Sequence, residues 1–466
     1  MQKRLLIYIE PLIEAGWPHS RLWWMKFAEK SLSSILGKDF DWDKQCRIIT
    51  SDYFKRLALQ GGEPVKYLNL DVWATYPQEF IIDVSIRECW NMLGKDCTET
   101  AKRWADNFYT EDELDRVSGF FQNKLGDFIP NLILTFSAVP FLENAFPHAV
   151  VLHQEAGILS QPPYPYTLLF DPVGVRGRSS IQKFSKELSA LEYDDEVEFG
   201  IGLFRKTFIQ DCLLPASPFS QLRNELKQKY KSIWIWPNQW HFMAGWSHQL
   251  PMQHMWDMMT WVLEKAGPKT GIIFTEHPSG ELYFTKERIS YWKQMFPNFI
   301  YIENEWRVSA ATQYLMDLAD GVICLNSSVG FQSLFWKKKL IVLQDTQYNN
   351  IADGVELDNL DDIAQEPWDA QKDAQLYWLL THYNILPQYL ESESFCSAFI
   401  DRCMAAKQDH GEIIFSVFEP YINAKEVMTD IVGMCDQNIP VSRLKNLSNL
   451  NLETCIEIIR KEKFIR

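Results

Sequence analysis

The chain has no uninterrupted apolar run of about 18 residues, the length a membrane-spanning helix requires. It also has no surplus of positive charge: 46 Lys and Arg stand against 61 Asp and Glu, a formal net charge of −15. That balance offers no broad attractive field to nucleic acid or to an anionic membrane, so no nucleic-acid partner is expected. Its nine cysteines form no CxxC pair and no zinc-ribbon spacing. A chain of this length needs no disulfide to hold a core, so free buried thiols in a reducing compartment are expected. The GxGxxG dinucleotide fingerprint, the Gly-rich P-loop ending in Gly-Lys-Ser/Thr and HExxH are all missing. Their absence argues against a typical NAD-binding half, a P-loop NTPase and a zincin-type metal site. No internal repeat or low-complexity tract is found.

What is present is ordinary globular material with an aromatic surplus. The 466 residues are 46% hydrophobic and 14% aromatic, with 18 Trp. That excludes general disorder, and the length suggests two or three domains. Lys3-Arg4 precedes a short apolar run that stops at Glu10-Pro11. A secretory segment would be longer and end on small residues, so 5–9 is expected to be a first buried strand. The expected location is the cytoplasm, with peripheral contact at the inner face of the inner membrane.

Further strands are expected at 47–50, 132–136, 150–152 and 166–170, with helical pattern at 29–36 and 112–125. A charged stretch at 186–229 is expected to hold the domain connection. Beyond it the alternation resumes, with strands at 232–236, 271–275, 299–302, 321–325 and 340–343. Helices are expected at 252–266, 310–318 and 328–335. Strands alternating with helices imply open parallel sheets covered on both faces. The expected fold class is α/β, with two Rossmann-like domains around an interdomain cleft and a helical C-terminal region. The expected divisions are 1–215, 216–370 and 371–466. Two such sheets facing each other with their strand ends suit two substrates, which favours a transferase by fold analogy.

Several strand ends carry chemistry. His277-Pro278 follows the strand at 271–275; imidazole can donate to a phosphate, and Pro278 stiffens the turn. Asn326-Ser-Ser-Val-Gly330 follows another strand and opens a helix. Its amides and hydroxyls can cap that helix or receive a phosphate. Gln154 and Glu155 follow the strand at 150–152, where a carboxylate can serve as nucleophile, base or acid, or as a structural hydrogen-bonding group. Asp171 reads as a turn residue, and Arg176 and Arg178 as carboxylate binders or as exposed solubilising groups. The aromatics from Trp234 to Trp246 are expected mainly to pack, as an alternative to walling a sugar. Trp336-Lys-Lys-Lys339 reads as a solvated helix end or as a basic patch that faces an anionic acceptor. His241, His248 and His254 lack a carboxylate-rich partner set, so no metal is expected.

The run Cys324-Leu-Asn-Ser-Ser-Val-Gly-Phe-Gln-Ser-Leu-Phe-Trp-Lys-Lys-Lys-Leu-Ile-Val342 resembles the late signature of bacterial capsule polysaccharide synthesis proteins. His277-Pro278 is similar to their His-Pro loop, and Gln154-Glu155-Ala156-Gly157 to their Glu-Asp-Gly loop. The matching order covers about residues 130–345. The resemblance implies a GT-B-like glycosyltransferase that takes a 3-deoxy-ulosonic acid from a CMP-activated donor. That sugar is Kdo or a nonulosonic acid such as pseudaminic or sialic acid. The implied acceptor is a glycan or lipid-linked saccharide, and the implied partners include capsule-assembly proteins. No separate cofactor is implied, since the CMP-sugar is a co-substrate.

The resemblance also distributes roles. His277, Ser327 and Ser328 fall on the CMP phosphate and Glu155 beside the anomeric centre, so Glu155 and His277 are the expected catalytic residues. Pro278, Asn326 and Gly330 are expected to complete the nucleotide site, and Gln154, Arg176, Gln239 and His241 to meet the substrates. The chain departs from the pattern at Gln332 for Glu, Ala156 for an acid, Lys337 for Gly and Lys339 for Pro. Gln239 is not followed by the Asp that Kdo-transferring members carry. Retention is the expected outcome, with inversion through Glu155 as the alternative; a UDP- or GDP-sugar donor and a non-catalytic capsule-assembly sugar-binding protein are the alternative functions.

Overall fold

The computed structural model describes residues 2–9, 35–37, 41–52, 78–85, 87–88, 91, 109–135, 138–159, 163–238, 252, 254–277, 283–303, 305, 308, 310–390, 392 and 395–435. Among the described residues twelve strands form two separate sheets, not one continuous sheet.

The first sheet contains β1 (Leu5–Tyr8), β2 (Cys46–Ser51), β3 (Ile81–Val84), β4 (Leu132–Thr135), β5 (Val150–Ala156) and β6 (Leu168–Asp171). Strands β1 to β5 run parallel, in the order β3-β2-β1-β4-β5. All four residues of β1 and of β4 are buried, as a central strand covered on both faces demands. Helices α1 (Glu111–Leu125) and α2 (Pro140–Ala145) cover one face. Thr110 starts α1 with a capping box to Glu113. Phe121 and Phe141 then pack edge-on to Tyr8, each with centroids 5.6 Å away.

Helix α3 (Asp195–Phe204) runs into wide π-type turns over Arg205–Leu213, so the charged connecting stretch is helical. The second sheet follows. It comprises β7 (Ser232–Pro237), β8 (Thr270–Thr275), β9 (Phe299–Ile300), β10 (Gly321–Cys324) and β11 (Lys339–Val342), all parallel, in the order β11-β10-β7-β8-β9. Its helices include α4 (Met255–Ala266), α5 (Lys286–Met295) and α6 (Val329–Phe335). Trp234 and Trp236 are buried among Met258, Met259 and Phe274 on one face of this sheet, so these two indoles are core.

The C-terminal stretch is mostly helical, with α7 (Gln371–Trp378), α8 (Asp401–His410) and α9 (Ala424–Gly433). It packs back on the first sheet and adds a strand to it. β12 (Asn384–Ile385) pairs antiparallel with β6, which is antiparallel to β5. One apolar cluster runs from β5 and β6 through these helices to Ile235 and Val322 of the second sheet. Arg205 helps fasten this join. Its guanidinium makes bonds of 2.6 and 2.7 Å to Asp373 and donates to the carbonyls of Leu334 and Phe335.

The solvated helix end expected at Lys337–Lys339 holds for the exposed Lys337 and fails for Lys339. Lys339 is buried in β11 and paired with Asp353 at 3.2 Å, and Lys337 lies 3.6 Å from Asp373. Burial pulls the Lys338 ammonium down to about 8. Asp353, beyond β11, and Asp373, in the C-terminal helix that begins at Gln371, supply these partners from outside the motif. Cys46, Cys324, Cys396 and Cys403 are buried free thiols. Among the described residues no helix is long and apolar enough to cross a membrane. The sequence pattern located every described strand of the second sheet; β3 and β12 were not anticipated, and the helix expected at 29–36 lies mostly outside the described residues.

Candidate functional site

In the second sheet, the chain moves from β7 outward through β8 to β9, then returns to the other side of β7 with β10. Open parallel sheets take ligands at the carboxyl ends of strands where this reversal occurs. The tips at that point are Asn238 after β7, Glu276-His277 after β8 and Leu325 to Ser328 after β10. With a strand spacing of about 4.8 Å, the last two tips stand roughly 10 Å apart across β7.

The β8 tip is held by two buried acids. The Glu276 carboxylate accepts from the amides of Tyr283 at 2.9 Å and Phe284 at 2.8 Å, drawing the returning chain back to the strand end. The Glu276 amide donates to Glu305 at 2.6 Å. Burial raises both carboxyls, Glu305 to about 7. His277 follows directly, half-buried, and burial lowers its imidazole to about 4. It is therefore neutral at pH 7 and brings no positive charge to the strand tip.

At the β10 tip, Ser328 occupies the cap position of α6 with helical backbone and no side-chain cap bond. The Ser327 hydroxyl accepts weakly from the Val329 amide, at 3.4 Å. The Ser327 carbonyl is fixed by the Gly330 amide at 2.9 Å and the Tyr348 hydroxyl at 2.8 Å. A Cβ on Gly330 would sit 3.0 Å from the Tyr348 ring, so close packing accounts for this glycine. Gln332 is buried, and its amide meets that of Gln313, which also accepts from the Tyr164 hydroxyl at 2.9 Å.

Strand β5 extends further than expected and takes Gln154 and Glu155 into the sheet opposite Phe170 and Leu169. The strand expected at 166–170 runs antiparallel as β6, a direction a βα reading does not supply, and β5 extends to pair with it. Glu155 is exposed, and one carboxylate oxygen accepts from the Ala156 amide at 3.0 Å. Gln154 is 1% exposed, and neither amide atom has a hydrogen-bond partner. Burial raises the Tyr348 hydroxyl strongly, with Cys324 and Glu155 adding to the effect. Glu155 thus lies within electrostatic reach of the tyrosine that holds the Ser327 carbonyl.

Asp171 is not an available carboxylate. It is 1% exposed and accepts from the amides of Val173, Gly174 and Ser180 and the hydroxyls of Ser180 and Tyr383. Arg176 lies in the turn that follows, with φ 55°, and neighbouring Gly177 closes on Asp345. His254 precedes α4 and is exposed. Pro278, Gln239, His241 and His248 lie outside the described residues. Among the described residues no group of His, Cys, Asp and Glu is arranged to hold a metal ion. Sequence reasoning missed Asn238, Glu305 and Tyr348. The switch-point rule applied to the end of the 232–236 strand would have found Asn238; Glu305 and Tyr348 carry no local signal.

The chain is thus a mixed α/β protein with two sheet cores, extensive helix and a polar strand-tip site on the second sheet. Residues 216–388, which contain that sheet, match the family described as capsule polysaccharide biosynthesis protein. The chain is a distant relative of these proteins. No curated protein sequence matches it. Similar solved structures include the β-Kdo 2,7 transferase of Thermosulfurimonas dismutans KpsC, at 16% identity and TM-score 0.37, covering 59% of this chain and 83% of that one. The β-Kdo 2,4 transferase of the same protein follows at 15% and 0.35, covering 55% and 81%. The UDP-GlcNAc 2-epimerase of Methanocaldococcus jannaschii stands at 10% and 0.30, covering 80% and 98%.

Proposed function

We propose that this chain is a glycosyltransferase that takes its sugar from a nucleotide-activated donor and passes it to a bacterial surface glycan. The observation that best supports the reading is the pairing of the His277 tip and the Asn326–Ser328 turn on either side of β7, inside the stretch related to capsule biosynthesis. Neutral imidazole and hydroxyl donors there suit the departing phosphate, whose charge grows as the sugar–oxygen bond breaks. The sugar develops oxocarbenium character, and the exposed Glu155 carboxylate is suited to stabilise it, trap it or deprotonate the acceptor.

On the resemblance, the donor is a CMP-activated ulosonic acid, transferred with retention. Two features favour a second reading, a UDP- or GDP-sugar donor. Gln332, where the family carries Glu, is buried against Gln313, and no Asp follows Gln239. The test is a panel of CMP-, UDP- and GDP-sugars, scored for binding and donor hydrolysis by the parent and by His277→Ala. Loss of a hydrogen bond to a charged phosphate should weaken the active donor's nucleotide about 10- to 150-fold. Unchanged affinity and turnover would remove His277 from the site. A parent that binds glycans and no nucleotide would be a non-catalytic capsule-assembly protein.

A further inference from the structure

Asn238 is 5% exposed at the carboxyl end of β7. Its side-chain orientation is set by chemistry: the Trp236 indole can only donate, and it lies 3.1 Å from the Asn238 Oδ1. The other terminal atom is therefore the amide nitrogen, with two N–H donors. That Nδ2 is buried and has no hydrogen-bond partner. The backbone around it is satisfied, since the Asn238 amide donates to the Thr275 carbonyl on β8 at 3.3 Å. An unmet buried donor costs roughly as much as a lost hydrogen bond, so its persistence needs a reason.

The position supplies one. β7 is the strand at which the sheet's connections reverse, flanked by β8 and β10, whose tips carry His277 and Asn326 to Ser328. The two carboxylates nearby are spent on backbone amides: Glu276 on Tyr283 and Phe284, and Glu305 on Glu276. Neither of them is bonded to the Asn238 amide nitrogen. An amide whose oxygen already serves Trp236 and whose two N–H donors are unmet suits an oxygen-rich ligand that accepts.

We infer that Asn238 donates from Nδ2 to the phosphate of the bound nucleotide, midway between the His277 tip and the Ser327–Ser328 turn. The inference rests on the nucleotide-donor reading and adds to it a central contact. Asn238 is then a binding residue that fixes the phosphate over the end of β7, while the flanking tips close on it from either side.

The test uses the full chain and calorimetric titration with CMP, UDP, GDP, their nucleosides and inorganic phosphate. Asn238→Asp keeps an acceptor for Trp236 and replaces the two donors with negative charge; Asn238→Ala serves if the acidic variant does not fold. For the nucleotide the parent prefers, Asn238→Ala should lose about tenfold and Asn238→Asp about a hundredfold or more. The matching nucleoside should lose less than about threefold. Equal losses for nucleotide and nucleoside would place the contact on the nucleoside and overturn the inference. So would a parent that binds nucleotide while both variants match it, leaving the nucleotide reading intact. A parent that binds none of CMP, UDP and GDP overturns both.

Discussion

Replacing Glu305 with Gln should make the protein more stable at alkaline pH and leave it unchanged in acid. Glu305 is buried, its carboxyl is raised from 4.5 to about 7, and Glu276 lies beside it. A carboxyl raised on folding contributes fully below its unfolded value. That contribution is lost as pH climbs from 4.5 through about 7. The span of about 2.5 pH units, at about 1.4 kcal/mol each, sets the loss at roughly 3 kcal/mol. Gln keeps an oxygen for the Glu276 amide and cannot ionise, so the variant escapes the loss. An unfolding entropy of about 2.1 cal/mol/K per residue gives about 1 kcal/mol/K for the chain, so Tm should differ by ~3 °C. Scanning calorimetry at pH 4.5 and pH 8 reads this directly, with the two proteins coinciding at the first and separated at the second. The same offset at both pH values, or a variant less stable at pH 8, would refute the reasoning.

Glu155→Gln keeps volume and removes charge from an exposed side chain, so transfer should fall at least about a hundredfold with folding and nucleotide binding retained; near-parent transfer would take Glu155 out of the chemistry. Arg205→Ala leaves Asp373 buried without its bidentate partner and should cost about 3–5 kcal/mol, read as a lower urea midpoint. Changing Arg205→Met together with Asp373→Leu should recover much of that loss, and an unshifted single variant would contradict the fastening role. Gly157→Ala would set a Cβ 2.1 Å from the Thr167 hydroxyl and 2.6 Å from Asn384 Oδ1. It should cost about 1–3 kcal/mol in thermal unfolding, and a neutral result would show that β6 and β12 yield freely.

The second sheet was legible because each of its strands is a short apolar run bounded by turn residues, and parallel strands buried on both faces look like that. The first sheet was harder. β3 alternates through Ile82 and Asp83 instead of running apolar, and β12 is two residues inside a helical region. The strand-tip placement of His277 and Asn326 followed from the same runs. Their surroundings did not. The neutrality of His277 comes from burial, and the support of its loop comes from Glu305, 29 residues on from Glu276. Lys339 looked like surface until Asp353 and Glu366 folded against it. Such partners are brought by topology, and residue spacing carries no trace of them.

The pairing of β12 with β6 bears on how this chain can be recombined. The Asn384 side chain caps the Ile158 amide at 3.1 Å, and the Tyr383 hydroxyl reaches Asp171 at 2.7 Å. The part that folds around the first sheet is therefore discontinuous, made of sequence on both sides of the second sheet. A chimera that exchanges everything before residue 216 with a relative, keeping the native 371–435, would graft a foreign β6 onto a cap shaped for another. The unit to transplant is the second sheet alone, lifted out as an insert between the π-type turns after α3 and the start of α7. Donor-specificity swaps designed on that cut leave every contact of Asn384, Tyr383 and Asp171 in its parental form.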